Sequence, residues 1–165
     1  MTHLATLASP MGPFWVATTE AGAVVRAGFG APDDGLADAR RDSDAPAEAV
    51  RQLDAYFRGE RTTFDLELAP EGTPFQQEVW RALGAVDFGR TLSYGELAAR
   101  VGRPKGAQAV GRANGQNPIA VVVPCHRVVG ADGALVGYAG GLDRKAALLA
   151  HEGAAVGPNA PSLFD

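Results

Sequence analysis

Residues 119–129 constrain the fold of this chain more than any other stretch. They read Ile-Ala-Val-Val-Val-Pro-Cys-His-Arg-Val-Val and contain the only cysteine, Cys125. A run of β-branched residues is typical of a buried strand, and Pro124 cannot continue its hydrogen-bonded ladder. The pattern therefore predicts that Cys125 lies at the end of a buried strand, next to an imidazole and a guanidinium.

The lone cysteine allows two interpretations. Most free cysteines are inert residues of a core, but the neighbouring His126 and Arg127 favour the reactive thiolate. A single cysteine excludes an internal disulfide bond. The three histidines (His3, His126 and His151) are too scattered to suggest a metal site, so we expect neither a metal nor a cofactor.

Length and composition predict a globular protein without a membrane segment. A chain of 165 residues, 46% of them hydrophobic, can bury the core of one domain or two small ones. No apolar run approaches the roughly 20 residues that span a bilayer. The N-terminal residues do not resemble a signal peptide, which predicts a cytoplasmic location.

Charge is distributed unevenly along the chain. The net charge is −4, and residues 1–69 alone carry −5. Residues 88–130, in contrast, contain one acidic residue, Glu96, and six basic ones. The basic residues are Arg90, Arg100, Arg103, Lys105, Arg112 and Arg127. This basic patch could bind phosphates, or it could be an ordinary solvated surface.

The first half of the chain has the pattern of a small sheet with one helix. Short apolar segments separated by Gly and Pro turns at 4–8, 14–18 and 23–28 predict an antiparallel meander. The pattern further predicts an acidic surface loop at 31–45, a helix at 46–58 and a half-buried strand at 62–69.

A domain boundary is predicted at 69–72, followed by short helices. Thr73 is expected to cap a helix that extends to about Val86. Ser93-Tyr94-Gly95-Glu96 is a capping box that opens a helix over 94–101. With a further helix at 105–115, this pattern predicts a helix-turn-helix. In the second helix Lys105, Gln108 and Arg112 share one face and Ala109 and Ala113 another, which suits close packing against either protein or DNA.

The remaining segments predict a wing and a final helix. The Asp132-Gly133 turn between 128–129 and 134–136 predicts a β-hairpin. Asp143 is expected to cap a last helix on which Lys145 and Glu152 share the apolar face. The fold class is therefore α/β (α+β): a sheet domain at 1–69, a winged helix-turn-helix domain at 70–153 and a flexible tail at 154–165.

Five blocks in this order resemble the 6-O-methylguanine-DNA methyltransferases, also called methylated-DNA–protein-cysteine methyltransferases. They are Ser93-Tyr94-Gly95-Glu96-Leu97-Ala98, Asn117-Pro118, Pro124-Cys125-His126-Arg127-Val128-Val129, Tyr138-Ala139-Gly140-Gly141 and Leu148-Leu149-Ala150-His151-Glu152-Gly153. The resemblance implies a ribonuclease-H-like N-terminal domain. It also implies direct-reversal DNA repair, in which an alkyl group moves irreversibly and once per molecule from O6 of guanine to Cys125.

The resemblance also implies a role for each matching residue. His126 would accept the thiol proton through a water, Glu152 would orient His126, and Asn117 would hold the turn that carries Cys125. Tyr94 would donate a hydrogen bond to the leaving guanine, with Lys145 polarising it. Tyr138, Gly140 and the backbone N–H of Ala139 would line the guanine pocket.

The partner implied is double-stranded DNA with an alkylated guanine turned out of the helix, bound by a monomer. The DNA contacts would come from Gln108, Arg103, Lys105, Arg112, Arg127, Ala109 and Ala113. Gln108 stands where the family has an arginine that fills the gap left by the extruded base. We therefore expect weaker base extrusion, partly compensated by Arg103 or Arg112.

Three further interpretations stay open at this point. The tail carries the apolar pair Leu163-Phe164 next to its last residue, similar to the terminal peptides by which bacterial repair proteins bind the sliding clamp. A non-enzymatic lesion-binding or sensor protein is the main alternative function, and Cys125 argues against it. A cysteine hydrolase is disfavoured because adjacent side chains of an extended segment point in opposite directions.

Overall fold

The structure is a computed structural model that describes residues 1–154. It divides into two compact units. The first consists of Met1–Glu71 and Pro118–Val122, and the second of Gly72–Asn117 and the described residues from Val123 onward. The segment Pro118–Val122 thus packs with the N-terminal unit although it lies far from it in sequence. The three domain ranges that the sequence suggests stay a prediction.

The first unit contains a four-stranded sheet. Its strands are β1 (His3–Leu7), β2 (Phe14–Thr18), β3 (Val24–Phe29) and β4 (Arg40–Arg41), in the order β3-β2-β1-β4. The first three form the predicted antiparallel meander, and β4 pairs with β1 in parallel. Ser9 and Gly12 exchange backbone hydrogen bonds in the first turn, where Gly12 has a φ of 105°, a left-handed conformation that glycine adopts without strain.

Both faces of β2 are covered, and all five of its residues are buried. On one face helix α1 (Ala47–Phe57) packs its aromatic side chains against the sheet, with the rings of Phe57 and Phe14 5.4 Å apart. On the other face Trp15 lies in a cluster with Leu4 and Leu36. Successive side chains of β2 point to opposite faces of the sheet, so this strand contributes to the core on both sides of it.

Two predictions for the first half were wrong in part. The acidic segment 31–45 is not a simple loop, because it contains the buried Leu36 and the short strand β4. The segment 62–69 does not form a strand. It makes one bridge, in which Val24 bonds the backbone of Glu67 and Ala69, because only its last residues reach the sheet edge.

The second unit is mainly helical. Its elements are α2 (Pro74–Gly84), β5 (Leu92–Ser93), α3 (Tyr94–Arg100), α4 (Ala107–Gly115), β6 (Val128–Val129) and α5 (Leu142–His151). The predicted caps are confirmed: Thr73 and Ser93 each accept a bond from the backbone three residues on, and Gln76 and Glu96 return it. Within residues 1–154, every helix is too short or too polar to span a bilayer.

The prediction that a buried strand leads to Cys125 was wrong. Ile119 makes a single bridge to Ala27, and the chain then turns, with Val121 at a φ of 72°. A left-handed β-branched residue costs on the order of 1–3 kcal/mol and persists only where the surrounding packing demands it. Val121 is 1% exposed. The segment is therefore stabilised by burial of an apolar turn and not by the backbone hydrogen bonds of a strand. Cys125 consequently begins a one-turn 3-10 helix, Cys125–Arg127.

The predicted wing and the last cap also need correction. The turn at Gly130 forms, since its N–H bonds the carbonyl of Ala134, but residues 134–136 form no strand. β6 pairs instead with β5 in parallel. The N-cap of α5 is Gly141, with a φ of 96°, and Asp143 makes no capping bond. Asp143 lies in the first turn, where the helix dipole still favours its charge.

Candidate active site around Cys125

The thiol of Cys125 is buried at the start of the 3-10 helix, with 7% of the residue exposed. Burial raises the pKa of this thiol above its ordinary value, although a hydrogen bond with the Asn117 side chain and the charge of Lys145 oppose the rise. At neutral pH Cys125 therefore carries its proton. Because the thiolate is the nucleophilic form, the site needs a base that takes this proton.

His126 and Glu152 form a fully buried pair. Nε2 of His126 lies 2.8 Å from Oε2 of Glu152. Burial lowers the pKa of the imidazole, although the hydrogen bond and charge of Glu152 act in the opposite direction. A neutral imidazole beside a carboxylate carries its proton on Nε2. Within residues 1–154, Nδ1 of His126 has no hydrogen-bond partner, so its lone pair can accept a proton.

Arg127 is not a surface residue, which corrects its assignment to the DNA-binding patch. It is 6% exposed. Its Nε and Nη2 donate to the two carboxylate oxygens of Glu152 at 2.7 and 2.9 Å, and Nη1 donates to the carbonyl of Val86. The guanidinium is therefore part of the Glu152 site and cannot bind a phosphate.

Two asparagines at the end of α4 hold the segment around Cys125. Nδ2 of Asn117 donates to the carbonyl of Val123 at 2.8 Å, and Nδ2 of the buried Asn114 lies 3.4 Å from the carbonyl of Cys125. The sequence prediction included Asn117 and missed Asn114. Two asparagines three residues apart, just before the apolar stretch, were the available signal.

Tyr94 and Lys145 reach the loop that follows residue 135. The hydroxyl of Tyr94 donates to the carbonyl of Val136, and the ammonium of Lys145 donates to the carbonyls of Val136 and Gly137. Burial lowers the pKa of Lys145 to about 8. The two side chains thus meet on a shared acceptor.

The loop also carries the three predicted pocket residues. Tyr138 has a buried hydroxyl that lacks a hydrogen-bond partner within residues 1–154, and burial raises its pKa well above the ordinary value. Ala139 is exposed and Gly140 half-buried. A buried donor without a partner costs free energy, and a ligand with an acceptor oxygen could relieve this cost.

The predicted DNA-contacting residues fall into two groups. Exposed side chains are Arg103, Lys105, Gln108, Ala109 and Arg112. Ala113, in contrast, is 2% exposed, and its carbonyl accepts the indole N–H of Trp80 at 2.9 Å. Ala113 therefore belongs to the packing between α4 and α2, because it lies on the inner face of α4. The guanidinium of Arg103 lies 4.8 Å from the ring centre of Phe75.

Two further kinds of site were considered, a metal site and a partner-binding site in the tail. Residues 1–154 contain no group of three or more His, Cys, Asp and Glu side chains that could hold a metal ion. Leu163 and Phe164, which the sequence suggested as a clamp-binding pair, lie outside the described residues. The site in the second unit is therefore a buried thiol, a base with a free nitrogen and a surface with exposed basic residues.

Two family models match nearly all of the described chain. The one described as "6-O-methylguanine DNA methyltransferase, ribonuclease-like domain" matches residues 3–70. The one described as "6-O-methylguanine DNA methyltransferase, DNA binding domain" matches residues 74–154.

Individual proteins show the same similarity. The methylated-DNA–protein-cysteine methyltransferase of Mycolicibacterium paratuberculosis is 59% identical over 119 residues, which is 72% of this chain and 72% of that protein. The crystal structure of Mycobacterium tuberculosis O6-methylguanine methyltransferase has a TM-score of 0.87 at 46% identity and covers 100% of both chains. That of Mycobacterium tuberculosis OGT in complex with DNA has a TM-score of 0.85 at 46% identity, covering 99% of each chain.

Proposed function

Because the chain belongs to the methylated-DNA–protein-cysteine methyltransferase family, as its motifs indicated, we propose that it repairs alkylated DNA directly. It transfers a methyl or larger alkyl group from O6 of guanine to Sγ of Cys125. The observation that carries this function is the buried thiol of Cys125 next to the imidazole of His126. Within the described residues Nδ1 of that imidazole has no hydrogen-bond partner, so it can accept a proton.

The transfer is a displacement at carbon. His126 accepts the thiol proton through a water, the Sγ–C bond forms, and the C–O6 bond breaks with its electron pair going to the guanine. His126 then gives the proton that came from the thiol to the guanine, so that the net products are a thioether and an unmodified base. The thioether has no chemical route back to a thiol in this site. Each molecule therefore acts once.

The pocket residues would stabilise the leaving guanine. The hydroxyl of Tyr94 would turn from the Val136 carbonyl toward the base, and the ammonium of Lys145 would add positive charge. Tyr138 and Gly140 would line the pocket, with the backbone N–H of Ala139 bonding O6. Donors placed at a developing negative charge are worth several kcal/mol in a dry site. Asn117 would keep the turn and the thiol in place.

The DNA partner would bind along α3 and α4. A base reaches a buried thiol only after it leaves the stack, at a cost of a few kcal/mol. Gln108 occupies the exposed start of α4 and would fill the gap, with Arg103, Lys105 and Arg112 near the phosphates and Ala109 allowing close approach. Few groups here read base edges, so binding should depend on salt more than on sequence.

Intact mass after incubation with methylated duplex tests this function. We expect wild type to gain one methyl group on Cys125 and Cys125→Ala to gain none. The alternative of a non-enzymatic lesion binder predicts DNA binding without a change in mass, and that outcome would overturn the proposal. Monomeric state, cytoplasmic location and clamp binding through Leu163 and Phe164 stay predictions. Clamp pull-down with and without residues 158–165 tests the last of these.

A further inference from the structure

Arg127 is held on several sides in a buried position. Two of its nitrogens bind both oxygens of the Glu152 carboxylate, and a third binds the carbonyl of Val86. The ring centre of Phe88 lies 5.9 Å from its guanidinium carbon. These contacts restrict the planar guanidinium of Arg127 to one orientation. The guanidinium in turn fixes the position of the Glu152 carboxylate.

The charge of Arg127 has a chemical consequence for His126. A buried carboxylate that faces an imidazole and binds no guanidinium favours a proton on that imidazole, since an uncompensated buried charge is costly. An imidazolium has no lone pair for the thiol proton. With Arg127 present, the charge of Glu152 is already compensated, and the imidazole can stay neutral.

We propose that Arg127 is a positioning residue for the alkyl transfer. It holds the Glu152 carboxylate against Nε2–H of His126 and keeps the imidazole neutral, so that Nδ1 can take the proton of Cys125. After that proton moves, the new imidazolium faces the same fixed carboxylate, and Arg127 itself stays protonated throughout. This inference rests on the proposed function for the identity of the alkyl donor, but the proton transfer needs only the thiol and the base.

The charged groups around His126 act in opposite directions. The hydrogen bond and charge of Glu152 raise the pKa of the imidazole, whereas burial and the positive charges of Arg127 and Lys145 lower it. Cys125 precedes it in the same 3-10 helix. Arg127 is the only one of these groups that both binds Glu152 and opposes its charge.

The first experiment measures the protonation of His126 by NMR of histidine-labelled protein without DNA. The His126 signals are assigned from their loss in His126→Gln. We expect a neutral Nε2–H imidazole at neutral pH in wild type, and a titration midpoint higher by about one unit or more in Arg127→Met. The matched control is Arg81→Met, which removes an exposed arginine of α2 and should leave the titration unchanged. An unchanged titration in folded Arg127→Met would overturn the proposal.

The second experiment follows the reactivity of Cys125. Because it is the only cysteine, alkylation by iodoacetamide reports on this thiol alone. We expect Arg127→Met to react roughly 2- to 5-fold more slowly at neutral pH, a small part of the roughly 10²–10⁴-fold that a general base supplies. The loss should grow as pH falls and disappear as pH rises. Arg127→Lys keeps the charge and should recover part of the rate. Faster alkylation of Arg127→Met below neutral pH would overturn the proposal, since the imidazolium would then have stabilised a thiolate.

A paired variant covers the case in which Arg127→Met does not fold. Arg127→Met with Glu152→Gln removes both buried charges and leaves no unpaired ion. If Arg127 acts through Glu152, the pair should react no more slowly than Glu152→Gln alone, and a further loss in the pair would count against the proposal. Failure of wild type to accept a methyl group would remove the proposed function but leave the titration and iodoacetamide results as a separate test of Arg127.

Discussion

Tyr94 and Lys145 donate hydrogen bonds to the same acceptor, the carbonyl oxygen of Val136, at 3.0 and 2.8 Å. The hydroxyl and the ammonium come from α3 and α5, so the shared carbonyl ties the loop after residue 135 to both helices. A base that enters this region must compete with Val136 for the hydroxyl of Tyr94. In the proposed function, the same two side chains hold the loop before the base arrives and would bind the base afterwards.

Tyr94→Phe should slow alkyl transfer more than it reduces stability. Loss of one hydrogen bond to the Val136 carbonyl should cost about 1 kcal/mol of the free energy of unfolding, since Lys145 still occupies that acceptor. Loss of the donor to the leaving guanine should cost roughly 10- to 100-fold in transfer rate, by analogy with other donors at a developing charge. Single-turnover kinetics and urea unfolding measure the two effects.

Tyr138→Phe is the matched control for stability. The Tyr138 hydroxyl has no hydrogen-bond partner within residues 1–154, so its removal should leave the free energy of unfolding unchanged or raise it. A larger loss of stability in Tyr138→Phe than in Tyr94→Phe would contradict the contacts described above.

Lys145 should make stability depend on pH in the alkaline range. Burial lowers its pKa from 10.5 to about 8 in the folded chain, so between these values the unfolded chain binds more protons. Stability should therefore rise as pH increases from about 8 to about 10.5, and the penalty for a buried charge is fully present below that window. Lys145→Met should lack this rise. Urea unfolding of both proteins between about pH 8 and 10.5 measures this effect. The difference between their free energies of unfolding at each pH removes the contribution of other titrating groups.

Gln108→Arg should improve repair of duplex DNA. An added cation at the exposed start of α4 should steepen the salt dependence of affinity by about one unit in the log–log slope. It should also speed transfer from duplex DNA, because arginine stacks better in the gap of an extruded base. Transfer from single-stranded DNA needs no extrusion and should not change.

Gly115→Arg places the same charge at the other end of α4, at an exposed position where an added Cβ meets no atom within 4 Å, and serves as the control for charge alone. Equal acceleration on duplex DNA in both variants would show that charge, rather than occupation of the gap, accounts for the effect. An unchanged duplex rate and affinity in Gln108→Arg would refute the hypothesis that Gln108 limits base extrusion.

Gly89→Ala should disturb the Glu152 site. Gly89 has a φ of 80°, and an added Cβ would lie 3.1 Å from the carbonyl oxygen of Glu152. Gly102 has a φ of 74° and no atom within 4 Å of such a Cβ. Both substitutions should destabilise by about 1 kcal/mol through backbone strain. Only Gly89→Ala should also slow the reaction of Cys125 with iodoacetamide, and equal rates in the two variants would exclude this steric link.

Local physical chemistry was enough to predict much of this protein from its sequence. The caps at Thr73 and Ser93 and the antiparallel meander depend on residues a few positions apart, so sequence alone determines them. The family followed from motif blocks whose order survives any error in secondary structure. Cys125, His126 and Glu152 were predicted as site residues in this way, and the structure brings the last two within 2.8 Å of each other. The segment that carries the cysteine was nevertheless predicted as a strand.

Only the tertiary structure decided how the thiol is presented and which charges are buried. The β-branched residues before Pro124 form a buried turn rather than a strand, because packing around Val121 outweighs the local preference for a ladder. Arg127 was assigned to the DNA surface by its residue type, yet it binds Glu152, 25 positions away. The interaction energy of a charge is largest where water is excluded and its partner is held in place. Neither condition can be predicted from the neighbouring residues in the sequence.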